Sequence, residues 1–207
     1  VSQRYEIDAD HFGVFDQRYP FAGSANASTR LGVIELVTGD QQWLAVPAAS
    51  DTYLARVNWL QDSTRLAIQV QSRNQQQLDL VTWHRTDNQF AILLTETSAT
   101  WLNLHDCFTS LADGQGFIWA SERTGFRHLY LYGISGALLA TITNGPWVVT
   151  SLQGVDEEKG LVYFEGFADT PLEKHLYCAS LTATSPAVRL TASGMSHQVE
   201  LDNDCAY

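Results

Sequence analysis

Residues 121–132 read Ser-Glu-Arg-Thr-Gly-Phe-Arg-His-Leu-Tyr-Leu-Tyr and bring Glu122, Arg123, Arg127 and His128 into one turn. A carboxylate beside a histidine could pass a proton, and a guanidinium could hold an oxyanion. Upstream, Asn103, His105, Asp106 and Cys107 offer the ligand types of zinc. On one extended stretch, however, alternate side chains point to opposite faces, so only His105 and Cys107 could share one. Two ligands from one strand do not make a metal site, and neither a metal nor a cofactor is expected.

His128 argues against catalysis by its recurrence. It precedes Leu129-Tyr130, His175 precedes Leu176-Tyr177 in the same way, and Asp79 precedes Leu80. A catalytic histidine needs one unique set of partners. A polar residue repeated at the same strand entrance is expected to bond a neighbouring backbone group instead.

That recurrence belongs to a longer period. Strand-like runs end at Thr95, Thr143 and Thr191, each 48 residues after the last. Leu80, Leu129 and Leu176 follow at intervals of 49 and 47, and Val33 lies 47 residues before Leu80. Each unit holds four short alternating runs separated by Asp, Asn and Gly turns, which matches the four-stranded blade of a β-propeller at ~40–50 residues. A β-sandwich spaces its strands similarly but lacks a register returning every fourth strand. The chain is therefore expected to be all-β: a partial β-propeller of about four four-stranded antiparallel blades. The units divide as 1–20 (an extended arm), 21–53, 54–100, 101–146 and 147–195, with 196–207 opening a further blade. Leu80, Leu129 and Leu176 should occupy equivalent third strands.

Composition narrows the partners. With 207 residues and 45% hydrophobic content the chain can bury a full core. Its formal charge of −11 and only two lysines, Lys159 and Lys174, would repel a phosphate backbone, so no nucleic acid is expected. No apolar run approaches the roughly 20 residues of a membrane span. Cys107, Cys178 and Cys205 are too few and too scattered for a disulfide framework; they read as buried free thiols, with one intramolecular disulfide as the alternative. The six tryptophans read as packing between blades rather than as sugar-stacking platforms. The start at Val1-Ser2 reads as that of a processed or excised piece.

The turn "SERTGFRHLYLY" followed by "TNGPWVV" resembles a propeller blade of the dipeptidyl peptidase IV subfamily of the prolyl oligopeptidase family of serine peptidases. "QRYPFAGSANASTRLGVIEL" is similar to its Tyr-Pro-x-Ala-Gly-x-x-Asn segment, and "TWLNLHDC" resembles the Trp-Val-Asn-Leu-His loop of bacterial members. The resemblance implies an eight-bladed propeller capping an α/β-hydrolase domain, the two together removing N-terminal dipeptides with proline or alanine second. This chain would be the middle-to-late part of that propeller, with the hydrolase domain and the peptide substrate as partners. It further implies Trp101, Asn103 and His105 as substrate-side contacts, and an arm at 1–20 that takes part in a homodimer. Glu122, Arg123 and Arg127 read either as a β-turn with surface ion pairs or as a contact to the partner domain. Resemblance to bacterial members favours the periplasm or cell envelope.

Two departures bear on activity. The family's serine elbow is absent, as is any G-x-S-x-G. The Glu-Glu pair that holds the substrate's amino group is also absent, since the only adjacent glutamates, Glu157-Glu158, lie in a turn of the wrong blade. No catalytic residue is therefore expected in this chain, which should be inactive alone. The alternative is a free-standing propeller that binds a protein or glycan partner.

Overall fold

The computed structural model describes residues 2–47, 51–183, 185–202 and 205. Sixteen strands and no α-helix occur among them. A hairpin of β1 (Ser2–Ile7) and β2 (Phe12–Gln17) comes first, followed by a two-stranded sheet of β3 (Leu31–Ile34) and β4 (Gln41–Leu44). Three four-stranded sheets follow. They comprise β5 (Thr52–Trp59), β6 (Arg65–Ser72), β7 (Gln77–His84) and β8 (Phe90–Thr97); then β9 (Thr109–Ser110), β10 (Gly116–Ser121), β11 (His128–Gly133) and β12 (Leu138–Thr141); then β13 (Val149–Asp156), β14 (Leu161–Gly166), β15 (His175–Ser180) and β16 (Val188–Arg189). Within each sheet, neighbours pair antiparallel in chain order.

Leu80, Leu129 and Leu176 lie on the third strands β7, β11 and β15, opposite Gln69, Ala120 and Glu165 of the second strands. Val33 lies on β3, so the segment 21–53 contributes a two-stranded sheet among the described residues. Beyond Arg189, the described residues form no strand, and 203–204 and 206–207 lie outside them.

Continuous burial of the middle strands explains their composition. All six residues of β10 and all six of β11 are buried, which requires cover on both faces. Alternation divides them between two cores. Phe117, Trp119, Tyr130 and Tyr132 pack with Ala67, Leu78 and Leu80 of the preceding sheet. Ile118, Ala120, Leu129 and Leu131 pack with Val162, Phe164, Tyr177 and Ala179 of the following one. A third core joins β3–β4 to the first four-stranded sheet through Leu44, Ile68 and Trp83. Tyr163, Leu176 and Cys178 face Val199, Leu201 and Cys205 of the last segment. No disulfide joins the three cysteines. At Gly136, a β-carbon would come within 2.0 Å of Leu93 O, and φ is +83°, so glycine is needed where this turn meets the preceding blade.

The 48-residue period has a chemical anchor. Thr95 Oγ1 bonds Asp79 at 2.6 Å, Thr143 Oγ1 bonds His128 Nδ1 at 3.0 Å, and Thr191 Oγ1 bonds His175 Nδ1 at 3.0 Å. The same threonine oxygen receives the N–H of Leu129 at 2.9 Å and of Leu176 at 3.2 Å. His128 Nε2 lies 2.8 Å from Gly145 O, which only accepts, so Nε2 carries the proton. Burial lowers the pKa of His128, the Gly145 bond opposing it. In the neutral ring Nδ1 is then an acceptor, and the Thr143 hydroxyl donates to it. Each latch fastens the end of strand four to the start of strand three.

The latches should differ in strength. Thr143→Val leaves the buried Leu129 N–H and His128 Nδ1 without partners, at a cost of about 2–4 kcal/mol. Thr95→Val, at an exposed latch whose Asp79 also receives Gln77 Nε2, should cost less than about 1 kcal/mol. Denaturant unfolding of both variants checks the order.

Candidate functional site

Antiparallel topology gathers the candidate residues at one end. The turn between the second and third strands of a blade and the connection into the next blade both lie opposite the turn between strands one and two. The 122–127 turn of β10–β11 and the connection 98–108 from β8 to β9 therefore share an end of the stack.

The turn is closed by the Gly125 N–H bonding Glu122 O at 2.9 Å, with Gly125 at φ +91°. Its three charged residues have different partners. Arg123 Nη2 bonds Glu96 Oε1 of β8 at 2.6 Å and Tyr132 Oη at 2.6 Å, and its Nε bonds Ser121 Oγ at 2.9 Å. Its Cζ lies 4.3 Å from the Tyr130 ring centre. The side chain thus clamps the blade to its predecessor. Arg127 Nη2 instead bonds Glu122 Oε1 at 2.8 Å, and Glu122 Oε2 receives Asn103 Nδ2 at 2.9 Å.

The connection is fastened along its length. Leu102 N–H donates to Gln75 O at 2.7 Å, Leu102 O accepts Gln71 Nε2, and Leu102 and Leu104 pack on the core behind. Asp106 pairs with Arg56 of β5 at 2.7 Å. These contacts bring Asn103 and Glu122 together, leave Trp101 60% exposed, and bury His105 edge-on against Trp119 with ring centres 4.6 Å apart. The adjoining cavity, lined by Glu96, Asn103, His105, Trp119 and Glu122 among others, measures about 20 Å³.

Burial, reinforced by the Arg127 cation, lowers the pKa of His105 to about 4; the Ala120 backbone, Asp106 and Glu122 act the other way with less effect. His105 is therefore neutral near pH 7. Burial raises the pKa of the Cys107 thiol, keeping it protonated and a poor nucleophile. Among the described residues, no cluster of three histidine, cysteine, aspartate or glutamate side chains could hold a metal. Sequence reasoning did not find Glu96, Ser121 and Tyr132 as partners of Arg123, or Arg56 as partner of Asp106. Glu96 and Arg56 come from another blade, and only the repeat register could have suggested that they were near.

Antiparallel four-stranded blades stacked face to face in chain order, with connections gathered at a common end, define a β-propeller segment. The sequence matches the family described as "Dipeptidyl peptidase IV (DPP IV) N-terminal region" over residues 2–207, and the chain belongs to that family. Dipeptidyl peptidase 8 of Mus musculus is 40% identical over 147 residues, covering 56% of this chain and 16% of the relative. Probable dipeptidyl peptidase 4 of Aspergillus flavus is 28% identical over 185 residues, covering 83% of this chain and 24% of the relative. The chain thus spans a quarter or less of each of these relatives. The crystal structure of Porphyromonas gingivalis dipeptidyl peptidase 4 superposes with a TM-score of 0.80 at 23% identity, covering 92% of this chain and 27% of that one, a likeness of fold.

The buried neutral His105 gives a signed pH dependence. Its folded pKa of about 4 lies below the ordinary value of 6.5, so the unfolded chain takes up the proton first. Its contribution to stability is intact above pH 6.5 and is lost as pH falls from 6.5 towards 4, by about 3 kcal/mol in all. His105→Phe should flatten that part of the stability profile, as measured by denaturant midpoints between pH 4 and 7.5.

Proposed function

We propose that this chain is a non-catalytic propeller segment of a dipeptidyl peptidase IV-like serine exopeptidase. The parent enzyme removes X-Pro or X-Ala dipeptides, and its propeller gates and frames the active site. The family match over nearly the whole chain carries this reading. The pinned 101–108 connection supports it by offering an exposed indole and an amide on a rigid mount while containing no activated nucleophile. Trp101 and Asn103 meet the peptide, His105 backs them from the core, and the hydrolase domain of the same parent supplies the chemistry.

The isolated chain should show no turnover of dipeptide-anilide substrates, while the full-length protein should cleave them. Turnover that co-purifies with the chain and stops with a serine-directed inhibitor would overturn the reading. A full-length gene without a Gly-x-Ser-x-Gly elbow would favour a free-standing binding propeller.

The hairpin β1–β2 is the contact to a second copy in this reading. Apart from buried Ser2 and half-buried Gln17, both its strands are exposed. Tyr5 faces Val14 and Ile7 faces Phe12, so these four apolar side chains share one face of the hairpin. Burial at about 1.5–3 kcal/mol each suffices for a micromolar dimer only if most of them are covered together. Ile7→Asp with Phe12→Asp should halve the mass of the full-length protein in light scattering. An unchanged dimer would remove the hairpin from the interface.

A further inference from the structure

We infer that Glu122 is the positioning residue that sets the pose of Trp101, and through it the grip of this rim on a peptide; the inference rests on the substrate-side reading of 101–105. Donor and acceptor identities carry the argument. An ionised carboxylate accepts hydrogen bonds and donates none. With Oε1 receiving Arg127 Nη2 at 2.8 Å, Glu122 uses Oε2 to receive Asn103 Nδ2 at 2.9 Å. The Asn103 amide must therefore turn its NH₂ towards Glu122. Its remaining group, Oδ1, lies 3.3 Å from Trp101 Nε1, a donor with no acceptor capacity. The relay Arg127–Glu122–Asn103–Trp101 has one allowed polarity, and the carboxylate fixes it.

This matters because Trp101 is 60% exposed and its ring is held from the amide at its edge rather than by burial. The cavity behind the loop, at about 20 Å³, has room for about one water molecule. A peptide side chain therefore meets the loop at its surface, where the indole stands, rather than entering. Replacing Glu122 by its isosteric amide leaves size and shape alone but lets Asn103 turn over and point NH₂ at the indole N–H.

The test is a polarity swap in the full-length protein, with kcat and KM measured on a peptide substrate and thermal unfolding midpoints measured beside them. Glu122→Gln should raise KM about 3- to 10-fold with kcat within about twofold. Asn103→Asp, which sets two carboxylates face to face, should raise KM similarly. The double variant Asn103→Asp with Glu122→Gln should restore KM to within about twofold, because the glutamine NH₂ can donate to the new carboxylate, which still accepts from Trp101. Loss of structure alone predicts a double variant at least as impaired as either single one. Trp101→Ala separates the two levels of inference. If it raises KM while the swap fails to rescue, the positioning role of Glu122 falls and the substrate-side reading stands. If Trp101→Ala leaves KM unchanged, the substrate-side reading itself falls and the positioning role falls with it.

Discussion

Middle strands buried on both faces are the constraint on which the rest of the structure depends. A sheet whose central strands read Gly-Phe-Ile-Trp-Ala-Ser and His-Leu-Tyr-Leu-Tyr-Gly has no wet face and is stable only with a neighbour on each side. Each blade divides its alternating residues between two cores, so the cores link the sheets in series: β3–β4 to the first four-stranded sheet, that to the second, the second to the third, and the third to the segment beyond Leu190. Many side chains that need water or a hydrogen-bonding partner then lie towards the strand ends, as in the threonine latches and the Arg123–Glu96 pair, although Gln69 and Thr82 are buried within β6 and β7.

Placement at the ends gives the rim its character. The 98–108 connection packs Leu102 and Leu104 into an inter-blade core, and that anchorage lets it carry an exposed indole without collapsing onto the surface. The charged residues of the 122–127 turn then divide the work. Arg123 joins two blades through Glu96, Tyr132 and Ser121, whereas Glu122 faces the neighbouring connection. One short turn thus ties a blade to its predecessor and also supports the loop above it. His105, buried and neutral, completes the mount with ring contact rather than charge.

The repeat made much of this legible from residues alone. Threonines 48 residues apart and leucines at matching offsets placed β7, β11 and β15 in register, because every blade solves the same packing problem with the same alternation. The expectation that the recurring strand-entrance residue bonds a nearby backbone group holds for His128, which bonds Gly145 O, but not for His175, whose ring bonds the side chains of Thr191 and Glu173. The recurrence of Asp79, His128 and His175 at one offset and of three threonines at another was visible; their bonding to each other was not, because it joins residues 15 or 16 positions apart across a strand pair.

By itself the sequence determined the strand period, the blade register, the acidic surface and the family, all of which follow from side-chain type and spacing along one chain. Only the tertiary structure decided which charges face which. From sequence, Glu122, Arg123 and Arg127 were equivalent members of a surface turn; in space, Arg123 turns to Glu96 of the previous blade and Glu122 to Asn103 of the connection. The sequence also left His105 as a loop residue of ligand type and Cys107 as either a ligand type or a buried thiol, whereas the fold buries both and so fixes one as neutral and the other as protonated. The reason is physical: alternation specifies what each strand buries, but hydrogen bonding and pKa depend on distances set when separate blades come together.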